Sequence, residues 1–170
     1  MTRLATERLL LRCLEPQDAA FFLELTGEPA WLEYIPDKGL RSVEEAREYL
    51  VREPIALFER VGFSLYAVTP RAGGEPLGIC GLVQRDELED PDLGFAFLTR
   101  HCRKGYAYEA SVRVLEHARR DLGLTRVVAL TDWANHPSRS LLEKLGFALE
   151  GGHRMADEDE EIALFALALA

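Results

Sequence analysis

Apolar and polar positions fall into blocks whose period changes along the chain. Leu9 to Leu14 reads as a first strand, and Pro16 and Asp18 then open an apolar stretch, Ala19 to Leu25, that reads as a helix ended by Gly27. Ser42 followed by Glu45 has the pattern of a capping box, and the helix it starts runs towards Arg60, interrupted by Pro54. The middle is β-like. Phe63 to Thr69 and Leu77 to Gln84 flank a turn containing Pro70, Gly73, Gly74 and Pro76, a hairpin signature, and Asp92 to Leu98 is a third short apolar run after Pro91. From Gly105 the spacing becomes helical. Ala107, Ala110, Val114, Leu115, Ala118 and Leu122 share one face, Arg113, Glu116, Arg119 and Arg120 lie off it, and Gly123 ends the helix. Arg126 to Thr131 is a β-branched strand, Pro137 to Leu145 a short helix stopped by Gly146, and Phe147 to Glu150 another strand. The tail from Ile162 to Leu169 has a helical composition, but Ile162/Leu164 and Leu167/Leu169 alternate, and a strand is expected. Two early helices, an antiparallel meander and a strand–helix–strand–helix–strand half make an α+β class.

The chain has 170 residues, the length of one ordinary domain, so a single domain spanning 1–170 is expected. A chain of this size buries enough surface to fold without disulfides or a structural metal. Its 48% hydrophobic and 29% charged content argues against disorder. The longest apolar run, Ile162 to Ala170, falls well short of the roughly 18 residues of a membrane span, so no membrane partner is expected. Arg3, Glu7 and Arg8 near the start, without a long apolar block, read as no secretory signal. Cys13, Cys80 and Cys102 are odd in number and far apart, which fits a reducing, cytoplasmic setting. No His or Cys pair has metal-ligand spacing, so no metal is expected.

Twenty Lys and Arg stand against 29 Asp and Glu, a formal charge of −9, so nucleic acid is a poor partner. The charge is uneven. Arg100, His101, Arg103 and Lys104 cluster, whereas Asp86 to Asp92 and Asp157 to Glu161 are acidic runs. Phe95 to Ala110 therefore reads as strand, basic turn, one glycine and amphipathic helix, which is an anion cradle. Gly105 lets the backbone approach a ligand, and the helix start offers unpaired N–H groups and the positive end of its dipole. A solvated basic turn is the plainer reading of the same residues. Neither GxxxxGK[ST] nor GxGxxG is present.

The second informative segment is Asp132 to Phe147, with Asn135, Ser138 and the helix end Glu143-Lys144-Leu145-Gly146-Phe147. Together the two segments resemble the signature regions of the GNAT superfamily of acetyl-CoA-dependent N-acetyltransferases. The opening Thr6-Glu7-Arg8-Leu9-Leu10-Leu11-Arg12 extends the likeness to its ribosomal-protein N-terminal (Rim-type) branch. Gly105-Tyr106-Ala107 matches the end of the pyrophosphate motif, while Cys102 replaces its Gln/Arg and Arg103 stands where the branch has a glycine. The resemblance implies a GNAT-like mixed, mostly antiparallel central sheet of about six to seven strands with helices on both faces. It implies that backbone amides of Arg103, Lys104, Gly105, Tyr106, Ala107 and Tyr108 hold the CoA phosphates. It further implies that the strand from Phe95 to Phe97 pairs with the pantetheine arm and splays from its neighbour.

By the same likeness Asn135 contacts the pantetheine, Ser138 acts near the departing sulfur, and Asp92, where the branch has Glu, takes the amine proton through water. Each has a plainer reading: Asn135 as a helix N-cap, Ser138 as a first-turn serine, Asp92 as a solvated acid at a strand start. Glu109 reads as a favourable charge at a helix start, Trp31, Tyr34 and Trp133 as core or groove lining, and the four histidines as structural. The expected reaction is direct acetyl transfer in a ternary complex, with Cys102 not a nucleophile. The amine acceptor is expected to be a peptide or protein N-terminus, whose pKa of about 7.7–8.0 leaves a sizeable neutral fraction. A small amine acceptor and a non-catalytic CoA-binding module are the alternatives, and a homodimer stays open. By resemblance the loop before the last strand rims the acceptor side, so the acidic runs would form a negative lip that draws in cationic amines; solvation of exposed loops is the plainer account.

Overall fold

A computed structural model describes residues 2–170. One eight-stranded sheet carries the molecule: β1 (Arg3–Ala5), β2 (Leu9–Cys13), β3 (Leu65–Pro70), β4 (Gly78–Val83), β5 (Asp92–Phe97), β6 (Arg126–Thr131), β7 (Ala148–His153) and β8 (Ile162–Ala168). Their spatial order is β1-β2-β3-β4-β5-β6-β8-β7. The expected six to seven strands become eight because β1, three residues long, pairs with Leu10–Arg12. A segment that short shows no period. The last strand is a strand, as its alternation required, and not the helix its composition favours.

Alternation along the strands separates two cores. Leu9, Leu11, Tyr66, Val68, Cys80 and Leu82 turn to the face covered by α5 (Tyr106–Arg120), which supplies Ala110, Val114, Leu115 and Ala118. Ala67 and Ile79 turn to the other face, under α1 (Ala19–Gly27), α2 (Pro29–Tyr34) and α3 (Val43–Leu50), with Phe22, Leu25, Trp31, Ala46 and Leu50. Truncating a fully buried leucine such as Leu50 to alanine should cost about 2–5 kcal/mol. Gly81 is required by packing, because a Cβ there would lie 2.2 Å from the Ser64 carbonyl oxygen.

Ser42 caps α3 by accepting from the Glu45 amide at 3.1 Å, but Glu45 returns its carboxylate to the Arg41 amide at 2.8 Å, one residue earlier than a capping box requires. Pro54 does not break the chain. Val51–Ile55 widens into a π-helical turn that absorbs the missing N–H and passes into α4 (Ala56–Val61).

All neighbouring strands are antiparallel except β5 and β6. Those two run parallel and meet at one pair only, Asp92 with Val128. Beyond it they part, and α6 (His136–Lys144) follows β6 on the diverging side. This fork is where the candidate site lies.

Candidate active site

Asp92 stands at the fork, paired to Val83 of β4 on one side and to Val128 of β6 on the other. It is not the solvated acid of the plainer reading: only 3% of it is exposed. Its Oδ2 accepts from Arg85 Nε at 2.7 Å, and the Leu130 amide also hydrogen-bonds the carboxylate. Burial pushes the carboxyl above the ordinary Asp range, against the pull of Arg85 and that amide.

A cavity of about 580 Å³ opens beside Asp92. It gathers Asp92 and Phe95 from β5 with Asn135 and Ser138 from the start of α6, and so brings together the candidates expected to surround the reacting atoms. Phe97 is not part of its wall; the ring lies over Gly78, whose Cβ would stand 2.5 Å from it. At the end of β6 the chain turns through Asp132, whose Oδ1 accepts the Ala134 amide at 2.8 Å. Asn135 then caps α6 by accepting the Ser138 amide at 3.2 Å, with Pro137 in the first turn, so the N-cap reading of Asn135 holds. Ser138 is more than a first-turn serine: its Oγ accepts from buried Thr131 at 3.0 Å, which leaves its own hydrogen free to donate.

The aromatic side of the cavity comes from α1, α2 and α3, as Phe22, Trp31, Tyr34 and Tyr49. Trp133 instead faces Arg139, whose guanidinium lies 5.5 Å from its ring centre. Asp132, Asp157 and Glu158 also line the cavity, as do Lys38 and Arg60, all five with no ion-pair partner among the described residues. The first acidic run is used differently. Glu87 accepts the Ala156 amide at 2.6 Å, which ties the β4–β5 loop to the β7–β8 loop, and Asp90 pairs with Arg126 at 3.3 Å.

The anion cradle lies outside that cavity wall, at the start of α5. Arg103 (φ 62°) and Gly105 (φ 80°) are both left-handed, and Gly105 caps α5 without a side-chain hydrogen bond. Among the described residues no acceptor takes the amides of 103 to 108; the first helical bond of this turn runs from the Glu109 amide to Gly105. Such a row of unpaired donors at the positive end of a long helix fits a pyrophosphate. Arg100 is spent on Glu24, but Arg103 and Lys104 have no carboxylate partner among the described residues. Cys102 is pushed up by its partial burial, and buried Cys80 is pushed up to about 12, so neither is a ready thiolate.

Residues 8–148 match the family described as Acetyltransferase (GNAT) domain. The chain belongs to the GNAT acetyltransferase family. It is 32% identical over 149 residues to the protein YkkB of Bacillus subtilis, covering 85% of this chain and 84% of that one. With the N-acetyltransferase p20 of Bacillus licheniformis it shares 28% identity over 152 residues, 89% of this chain and 85% of that one. Its fold matches RimL, a ribosomal-protein α-N-acetyltransferase solved with coenzyme A, at a TM-score of 0.80 and 20% identity, over 99% of this chain and 98% of that one. The GNAT protein is thus an acetyl-CoA-dependent N-acetyltransferase.

Three residues given no site role by the sequence shape this site. Arg85 holds Asp92, Thr131 steadies Ser138, and Arg8 reaches the cradle. Of these Arg85 stands as a lone cation just before the acidic run and Arg8 belongs to the opening motif, whereas Thr131 carried no signal.

Proposed function

We propose that this GNAT enzyme acetylates the N-terminal amine of a peptide or protein. The observation that carries the reading is the fork itself. A buried carboxylate and an oriented serine hydroxyl share one cavity where the sheet opens. The amides of 103 to 108 would hold the CoA phosphates, with Arg103 and Lys104 adding charge. The parted edge of β5 from Phe95 onward would take the pantetheine arm as an added strand, and Asn135 would contact that arm while it caps α6.

Acetyl-CoA supplies the thioester, whose acyl carbon is open to a neutral amine. Asp92 takes the proton the amine loses, directly or through one water, as the C–N bond forms. Ser138, steadied by Thr131, hydrogen-bonds the sulfur as the C–S bond breaks, and the thiolate takes up its proton from solvent. A carboxyl raised by burial is a better base than an ordinary Asp, and the Arg85 guanidinium favours its ionised form. Asp132, Asp157 and Glu158 set negative charge along part of the cavity lining, against Lys38 and Arg60 elsewhere in it, and that acidic part favours a cationic acceptor.

A small amine with an apolar body is the second reading, favoured by the aromatic wall of Phe22, Trp31, Tyr34 and Tyr49. An acceptor screen with acetyl-CoA, read by mass, separates the two. N-terminal peptides with early Lys or Arg should gain one acetyl group on the α-amine, faster than neutral peptides at low salt. Acetylation confined to small amines would overturn the peptide reading.

A further inference from the structure

Thr6, Glu7 and Arg8 belong to the opening motif, and the reaction uses none of them. In the structure they form the turn between β1 and β2, and that turn rests on the start of α5, about a hundred positions further along the chain. Glu109, in the first turn of α5, accepts from Thr6 Oγ1, from the Arg8 amide at 3.0 Å and from Arg8 Nε at 2.8 Å. Arg8 Nη1 donates to the Lys104 carbonyl oxygen at 2.9 Å, and the guanidinium lies 4.6 Å from the ring centre of Tyr106. Nη2 has no acceptor among the described residues, and a Cβ at position 105 would stand 3.3 Å from it.

These contacts bear on the cradle in two ways. The Lys104 carbonyl sits between the two left-handed residues Arg103 and Gly105, so fixing its direction fixes which way the neighbouring amides point. Glu109 is also a negative charge one turn from where a phosphate would bind. Left unpaired it would repel the phosphate over a Debye length of about 8 Å; hydrogen-bonded by Arg8 it is neutralised and turned away. We infer that Arg8 is the positioning residue of the phosphate cradle, and that it acts from the β1–β2 turn by orienting the Lys104 carbonyl and cancelling Glu109. The inference rests on the reading of residues 103–108 as the phosphate site.

The test compares coenzyme A with acetyl-pantetheine, which lacks the phosphates, on the wild type, Arg8→Gln, Arg8→Lys and Gly105→Val. Calorimetry should show Arg8→Gln binding coenzyme A about ten-fold or more weakly, the scale of losing charge-assisted hydrogen bonds. The KM for acetyl-pantetheine should stay within about two-fold, and hydrogen exchange at the amides of 103 to 108 should speed up in the free protein. Arg8→Lys should recover little, because an ammonium cannot span Glu109 and the Lys104 carbonyl as a planar fork does. Unchanged coenzyme A affinity in Arg8→Gln, or equal loss for both donors, would overturn the inference. Normal coenzyme A affinity in folded Gly105→Val would instead remove the phosphate-site reading on which it stands.

Discussion

Two arginine–carboxylate pairs flank the proposed cofactor path, and they are nearly the same length. Arg8 Nε meets Glu109 at 2.8 Å and Arg85 Nε meets Asp92 at 2.7 Å. Yet the two carboxyls move in opposite directions. Around Glu109 burial raises the pKa, but hydrogen bonds from Thr6 and Arg8 outweigh it and leave the group below the ordinary Glu range. At Asp92 burial wins over Arg85 and the Leu130 amide. Distance to the cation does not separate the pairs. What separates them is exposure, 22% for the Glu109 side chain against 5% for Asp92, together with the extra hydroxyl donor that Thr6 gives Glu109. One pair is a clamp at the surface, the other a base held in reserve.

The widest separation between the pairs should come from cutting each cation. Arg85→Gln takes the cation from Asp92 and leaves it the Leu130 amide, so its pKa climbs further and the carboxylate form becomes scarcer at a given pH. Turnover near pH 7 should fall by more than about ten-fold and recover as pH is raised towards 9. Arg8→Gln should show no such recovery, its defect following coenzyme A concentration instead. Steady-state rates from pH 6 to 9, at saturating and limiting acetyl-CoA, distinguish the two.

Ser138→Ala sharpens the contrast on the turnover side. Loss of one hydrogen bond to a charge developing on sulfur should lower kcat about ten- to a hundred-fold while coenzyme A affinity stays near normal. Single-turnover rates and calorimetry read the two quantities separately. Removal of Thr131's hydroxyl, as Val, should reproduce part of this effect.

Stability against pH breaks the comparison by sign. Unfolded Asp titrates near 3.9 and unfolded Glu near 4.3. Between 3.9 and the raised value of Asp92, the unfolded chain has lost a proton that the folded one keeps, so stability falls as pH rises; above both values the slope ends. Glu109 does the reverse: its contribution is present above 4.3 and is lost as pH falls through its lowered value. Thermal melts of Asp92→Asn and Glu109→Gln across pH 3.5 to 8 should lose slopes of opposite sign. The smallest effect is expected of Arg103→Gly. Arg103 already sits at φ 62°, which glycine adopts freely, so the cradle should keep its shape and coenzyme A affinity should fall only a few-fold, through lost charge.

Elements with a long, steady period were legible in the chain. The expected Arg126–Thr131 strand coincides with β6, and α5 and α6 begin within a residue or so of their Gly105 and Asn135 signals. β1 and α2 were not legible, because three and six residues cannot establish a period. Pro54 reads as an interruption and turns out to be a π turn, since neighbouring helical residues could take up the missing hydrogen bond. At the site, Asp92, Asn135 and Ser138 were each nameable through the family resemblance of the segments that hold them. Their partners Arg85 and Thr131, and the reach of Arg8 to Glu109, depend on how strands and turns are stacked. Burial of Asp92, which sets its chemistry, is likewise a property of the fork and not of the residues beside it.

The proposed role of Asp92 is tested most directly by the pH–rate profile of Asp92→Asn beside the wild type, with an N-terminal peptide and saturating acetyl-CoA. The acceptor amine's own ionisation is measured on the free peptide and divided out. The wild type should then show one remaining acid limb, set by a carboxyl above the ordinary Asp range. The Asn variant should lose that limb and run about 10²–10⁴-fold slower, the usual cost of removing a general base. Near-normal turnover in the variant, or an acid limb that survives the substitution, would contradict Asp92 as the base at the fork.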